Sequence, residues 1–220
     1  MFFNCTKMKE IWIVCLSKEL KKYTDDQLLK YLPESIVNRA LRYLDRGDFL
    51  SFVTGRLLLR KAILASEYSK FSIEDITYSE NGKPSIDGFN FSISHSNGYV
   101  VLIFGTDIQI GIDIEKRKDV DLKFFKYLFT DLEWNNIIQN KIPLDKFYWY
   151  WVRKEALLKA VGCSLKELKE LEVYDNHGIY KGQKYYLNPF TFDTEFNGMI
   201  AVDKEVDFTC KYITLEALLR

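Results

Sequence analysis

Histidine is nearly missing from this chain, which has two (His95 and His177) beside four cysteines and four prolines in 220 residues. Cys5, Cys15, Cys163 and Cys210 are scattered without a Cys-x-x-Cys pair. That argues against a zinc or disulfide framework and for reduced thiols in a cytoplasmic protein. Long apolar runs are also lacking: residues 11–16 and 99–105 fall far short of the ~20 a membrane helix needs. The N-terminus has no signal-peptide core, so a soluble protein inside the cell is expected. Basic and acidic residues balance at 31 each, which removes the electrostatic footprint of a nucleic-acid binder. No Pro/Gly/Ser linker, repeat, Walker loop, Gly-x-Gly-x-x-Gly, nucleophile elbow or His-Glu-x-x-His pattern occurs.

What is there is a globular composition, 47% hydrophobic and 28% charged, enough for one large domain or two small lobes. The first half predicts a strand at 11–16, a short helix over 25–32, a helix opening at Pro33 with Ile36, Ala40, Leu41 and Leu44 on its apolar face, and a long helix through 49–66. Gly55 in mid-helix costs ~1 kcal/mol against alanine and signals close packing or a phosphate contact. A strand at 76–79, the turn Asn81-Gly82-Lys83-Pro84 and a hairpin of strands 89–94 and 99–104 follow, with His95-Ser96-Asn97-Gly98 as its turn. A strand at 109–114 leads to helices over 121–128, 131–139 and 144–161, the last stopped by Gly162. Short strands end the chain, at 172–174, 179–181, 184–187, 198–202 and 209–214, with His177 in a hairpin tip. This is an α+β pattern of two lobes.

Two acidic clusters carry the chemistry. In Gly111-Ile112-Asp113-Ile114-Glu115 the carboxylates alternate with isoleucines on a strand, so both leave one face. In Trp151-Val152-Arg153-Lys154-Glu155-Ala156-Leu157-Leu158-Lys159, Glu155 and Lys159 share a helix face. If that helix packs over that strand, three carboxylates converge on one hard cation. Such oxygen ligands suit Mg²⁺, which keeps waters and completes its shell with phosphate oxygens. This is the kernel of a phosphoryl-transfer site. Alone, each cluster also reads as a solvated strand end or an ordinary surface ion pair. The aromatic run Phe147, Tyr148, Tyr150 and Trp151 has helical spacing, and Phe147 and Trp151 read as packing residues.

Three segments in order resemble the 4′-phosphopantetheinyl transferase superfamily. They are Gly82-Lys83-Pro84 leading to Phe91-Ser92-Ile93-Ser94-His95-Ser96, then Gly111-Ile112-Asp113-Ile114-Glu115, then Trp151-x-x-Lys154-Glu155-Ala156-x-x-Lys159. Length and the upstream helices are similar to the two-lobed, monomeric, surfactin-synthetase-activating type. The resemblance implies two similar α/β lobes in pseudo-twofold arrangement. Residues 1–108 would form the N-terminal lobe, with the nucleotide-end contacts of coenzyme A. Residues 109–220 would form the C-terminal lobe, with the metal site and carrier docking, and coenzyme A would lie in the cleft between them. The implied reaction moves the phosphopantetheine arm of coenzyme A onto a serine of an apo acyl, polyketide or peptidyl carrier, releasing adenosine 3′,5′-bisphosphate. Asp113, Glu115 and Glu155 match the metal ligands, Glu115 at the position that varies most. Glu155 matches the base, and Lys159 the cation on the phosphate oxygens. His95, beside Ser94 in a turn, matches a contact to the 3′-phosphate. Lys83 and Pro84 match the nucleotide loop, and Arg39 a basic residue reaching the phosphate, with Arg56 as a weaker candidate. Ser92 and Tyr78 depart from the pattern: relatives commonly have asparagine at the first and some have arginine at the second.

Lys116, Arg117 and Lys118, followed by Phe124, Phe125 and Leu128, resemble the region that meets the acidic helices of a carrier; at least one of the phenylalanines is expected in the core. Two rival functions fit part of the pattern: a metal-dependent nuclease or phosphodiesterase, and a non-catalytic module binding coenzyme A or a carrier. Balanced charge argues against the first, and the intact acids with Lys159 against the second.

Overall fold

The computed structural model describes residues 9–16, 22–65, 68–79 and 82–220; Cys5, Ser66 and Asn81 lie outside them. In chain order the elements are β1 (Lys9–Cys15), α1 (Asp25–Leu29), α2 (Glu34–Ala40), α3 (Arg46–Ile63), β2 (Thr77–Tyr78), β3 (Pro84–Ser85), β4 (Asn90–Ser96), β5 (Tyr99–Gly105), β6 (Ile110–Lys116), α4 (Asp131–Ile138), α5 (Pro143–Val161), β7 (Glu172–Val173), β8 (His177–Tyr180), β9 (Gln183–Phe190), β10 (Phe196–Val202), β11 (Phe208–Tyr212) and α6 (Leu215–Leu218). Short 3-10 turns stand at Ile73–Asp75, Leu122–Leu128 and Leu165–Glu170. The fold is of the expected α+β class. It falls into two compact units, one ending at Asp107 and resuming at Val206, the other spanning Ile108–Glu205.

The first unit holds a sheet in the order β11-β1-β5-β4. Its long helix α3 starts where the Asp45 side chain accepts from the Asp48 amide at 2.9 Å, capping an orphan N–H. Residues 49–59 of α3 are all buried, Ser51, Thr54 and Arg56 with the apolar ones, so the middle of the helix is covered on every side and runs inside its core. Gly55 is where α3 meets β4: an added Cβ would lie 3.1 Å from Ile93 Cγ2. Close packing thus accounts for that glycine. The β4–β5 hairpin turns on Asn97 and Gly98, both with positive φ (45° and 83°), the two-residue turn that suits strand twist.

The expected second lobe, 109–220, loses residues 206–220 to the first unit. β11 pairs in parallel with β1, from Lys9↔Phe208 to Ile13↔Tyr212. Leu215 and Leu218 of α6 then bury in the first core. A parallel partner from the far end of the chain leaves no local sequence signal. The helix opened at Pro33 ends at Ala40, and Leu41 and Leu44 stand exposed at 63% and 103% instead of extending its apolar face. The helix expected over 121–128 is a 3-10 turn.

The second unit is an antiparallel sheet in the order β6-β10-β9-β8-β7 with α5 packed on β6 and β10. α5 begins with Pro143 and stops at Gly162, whose φ of 85° is the left-handed cap that glycine adopts without strain. His177 opens β8 and stacks on Tyr174 at 4.6 Å, while Lys181 and Gly182 form the β8–β9 tip. Among the described residues no helix is long and apolar enough to cross a membrane, and no disulfide joins Cys15, Cys163 or Cys210.

Candidate active site

The central geometry lies within the second unit, where α5 rests on β6. Strand alternation puts Gly111, Asp113 and Glu115 on one face of β6, and Gly111 lets the helix come down onto it. A Cβ there would meet Ala156 O at 2.0 Å and Ala160 N at 2.4 Å. The helix backbone therefore touches the strand backbone, a contact that only glycine on the strand allows. Ala156 and Ala160, both buried, keep the helix side of that contact small.

This seating brings Trp151, Glu155 and Lys159, spaced four apart on one stripe of α5, over the strand acids. Lys159 Nζ donates to Asp113 Oδ1 at 2.7 Å. At the other end Trp151 Nε1 donates to Glu115 Oε1 at 3.3 Å. Glu155 stands between them in sequence, half-buried. Burial, then the charge of Asp113, pushes its carboxyl up to about 7; Lys159 opposes this and Glu115 adds to it. Both strand acids thus lie close enough to repel Glu155, and Asp113 is only 3% exposed.

Two carboxylates on one face of β6 and a third on the helix stripe above them, with an ammonium beside them, are a donor set suited to a hard divalent cation that retains waters. Among the described residues no three His, Cys, Asp or Glu side chains already stand at metal-holding distances. Lys159 and Trp151 each hold one strand acid. The acids fit a cation in charge and chemistry, without being drawn together.

Lys154, next to Glu155, points elsewhere. Its ammonium is fully buried, 2.7 Å from Glu133 Oε1 and 2.9 Å from the carbonyl oxygens of Leu168 and Leu171. It ties α5 to α4 and to the 3-10 turn at Leu165–Glu170. Burial draws its pKa down while Glu133 opposes the shift. Glu133 also closes the capping box of α4 by accepting from the Thr130 amide at 2.9 Å. The sequence showed Lys154 only as part of a motif; its structural task has no local signal.

The other predicted residues lie in the first unit. The Arg39 guanidinium on α2 sits 4.1 Å over the Tyr78 ring, beside Gly82. Arg56 on α3, buried, faces the same ring at 5.9 Å and Phe52 at 4.6 Å. Pro84 pairs with Tyr78 in the β2–β3 ladder, and the Lys83 amide donates to Ser79 Oγ at 3.1 Å. Arg39 and Arg56 thus both face Tyr78, the residue that departs from the arginine pattern, and Lys83 directly precedes its strand partner Pro84. His95 is not in the turn: β4 runs on to Ser96, and His95 pairs with Val100. It is exposed, while Ser94 is 4% exposed. Alternation puts His95 on the face of Ile93, the one that α3 covers at Gly55.

Phe124 is the exposed member of its pair, at 75%, and Tyr127 and Leu132 are exposed too, at 71% and 73%. Phe125 packs on Phe147 and Trp151 at 5.0 and 5.7 Å. Lys116 pairs with Glu195, and Arg117 with Asp145, each at 3.2 Å.

Two family models match the chain. One, described as the 4′-phosphopantetheinyl transferase superfamily, matches residues 109–200. The other, described as 4′-phosphopantetheinyl transferase, N-terminal, matches residues 21–106. A Xenopus laevis protein named L-aminoadipate-semialdehyde dehydrogenase-phosphopantetheinyl transferase is 34% identical over 169 residues, covering 64% of this chain and 55% of its own. The Homo sapiens protein of that name is 32% identical over 167 residues, covering 64% and 54%. The 4′-phosphopantetheinyl transferase Sfp of Bacillus subtilis (strain 168) is 28% identical over 163 residues, covering 71% of each chain. The chain thus spans little more than half the length of the two vertebrate relatives. One match covers β6 and α5 with all three acids, and the other covers Arg39, Lys83 and His95. On these two matches and the relatives together, the chain belongs to the 4′-phosphopantetheinyl transferase superfamily, of the Sfp type.

Proposed function

We propose that this protein transfers the 4′-phosphopantetheine group of coenzyme A to a serine of an apo carrier protein, releasing adenosine 3′,5′-bisphosphate. The observation that carries this is the ladder on α5: Lys159 is 2.7 Å from Asp113, Trp151 reaches Glu115, and both acids repel Glu155. The relatives' names supply the group transferred.

Asp113, Glu155 and Glu115 are the residues that would hold Mg²⁺. When bound, the cation supplies charge neutralisation at the coenzyme A pyrophosphate. The chain's own groups do the rest. Glu155 accepts the proton of the attacking serine, directly or through a water. The Lys159 ammonium, hydrogen-bonded to Asp113, brings its positive charge to the phosphate oxygens as charge builds on them. In the first unit Arg39, Lys83, Pro84, Ser94 and His95 hold the nucleotide end, with Arg56 behind Arg39. Tyr78 contributes a ring face and not a positive charge. Phe124, Lys116, Arg117 and Lys118 form the surface that meets the carrier. The protein works as a cytoplasmic monomer, without nucleic acid or membrane as partner. The test is transfer to a panel of apo carriers with and without chelator. Unreduced transfer in excess EDTA would sink the metal assignment.

A further inference from the structure

Two donors flank Glu155 on α5, and they differ in kind. Lys159 brings a charge on a flexible stem. Trp151 brings a neutral, donor-only indole N–H on a ring that neighbours pin. Phe147, 2% exposed, stacks on that ring at 5.8 Å and 17°. Phe125 meets it edge-on at 5.7 Å and 72°. Helical spacing alone makes Trp151 a core aromatic. Its N–H nevertheless reaches across to Glu115 Oε1 at 3.3 Å, a long bond that orients more than it stabilises.

We propose that Trp151 is a positioning residue for Glu115. The pinned indole holds one carboxylate oxygen and so fixes how the carboxylate would face a cation shared with Asp113 and Glu155. The inference rests on the metal assignment above. It makes Glu115 a ligand whose contribution depends on a side chain 36 positions away. Partners that orient a ligating carboxylate typically change metal affinity 10–100-fold when removed.

The test reads Mn²⁺ binding to chelator-stripped protein by electron paramagnetic resonance, with no turnover involved. Four proteins are compared: unaltered, Trp151→Phe, Glu115→Ala and the double variant. Trp151→Phe is expected to weaken Mn²⁺ binding about tenfold and to have no further effect once Glu115 is alanine. An equal loss in both backgrounds means that the ring only seats α5, and overturns the proposal. Unchanged affinity in Trp151→Phe overturns it too, and leaves the metal assignment standing. Absence of Mn²⁺ binding by the unaltered protein overturns both. Near-ultraviolet circular dichroism checks folding, and Trp151→Leu replaces the phenylalanine variant in the same cycle if that one unfolds.

Discussion

Replacing Gly111 with alanine puts one methyl group between β6 and α5. The new Cβ would lie 2.0 Å from Ala156 O and 2.4 Å from Ala160 N, against 3.4–4 Å for ordinary contact. Both obstacles are helix backbone, which cannot swing aside as a side chain can, so α5 must retreat by more than about 1 Å. Overpacking of this kind costs about 1–3 kcal/mol, a fall in Tm of roughly 2–12 °C for a chain of this size. Glu155 and Lys159 move with the helix. A misplacement of about 1 Å costs about 100-fold in rate, so turnover falls far more than the residual folded fraction explains. Gly55→Ala is the control. Its Cβ meets side-chain methyls and no backbone, Ile93 Cγ2 at 3.1 Å, Ile93 Cδ1 at 3.6 Å and Val100 Cγ1 at 3.8 Å, and helix propensity returns about 1 kcal/mol. Thermal unfolding and transfer kinetics measured on both variants decide the matter. If Gly111→Ala melts within a degree of the unaltered protein and keeps its turnover, the backbone seating of α5 is not what assembles the site.

Glu155→Gln should abolish most turnover yet stabilise the chelated protein above neutral pH. A carboxyl raised from 4.5 to about 7 in the folded state binds more protons there than when unfolded, so stability falls as pH rises from 4.5 to 7, by roughly 3 kcal/mol at most. Melting curves in EDTA should show that fall in the unaltered protein and a flatter profile in Glu155→Gln; identical profiles would contradict the crowding of Glu155. If Arg39, Lys83 and His95 grip the 3′-phosphate, dephospho-coenzyme A should bind more weakly than coenzyme A, and His95→Ala should erase most of that preference in a titration. Reversing Lys116 and Arg117 to glutamate should raise KM for the carrier several-fold and leave that for coenzyme A nearly unchanged, with added salt acting alike. Their ion pairs with Glu195 and Asp145 moderate the effect, and Phe124→Ala should add to it. An equal penalty on both substrates would place docking elsewhere.

Much of the second unit was legible because its rules are local. Alternation put Asp113 and Glu115 on one face, and the four-residue step put Glu155 with Lys159. Asn97-Gly98 does mark the hairpin turn, and the strands run right up to it. His95 belongs to a strand because β5 offers Val100 as partner, a pairing that extends past the residues with strand-like composition. The hidden parts were those set by distant contacts. β11 joins β1 across most of the chain. Lys154 finds Glu133 and two carbonyls that no spacing rule predicts. Trp151 looked like packing, and it packs, but its N–H has a partner on another element. Gly111 does carry a local signal, since a glycine inside an apolar strand marks close backbone approach, and the small residues Ala156 and Ala160 supply the other side.

The most direct measurement is intact-mass spectrometry of a panel of apo carrier proteins incubated with this protein, coenzyme A and Mg²⁺, with parallel reactions in EDTA and with Glu155→Gln. At least one carrier should gain a single phosphopantetheine on its serine, and that gain should vanish in both parallel reactions. If no carrier in a panel of fatty-acid, polyketide and nonribosomal-peptide types gains mass, the proposed transfer is contradicted.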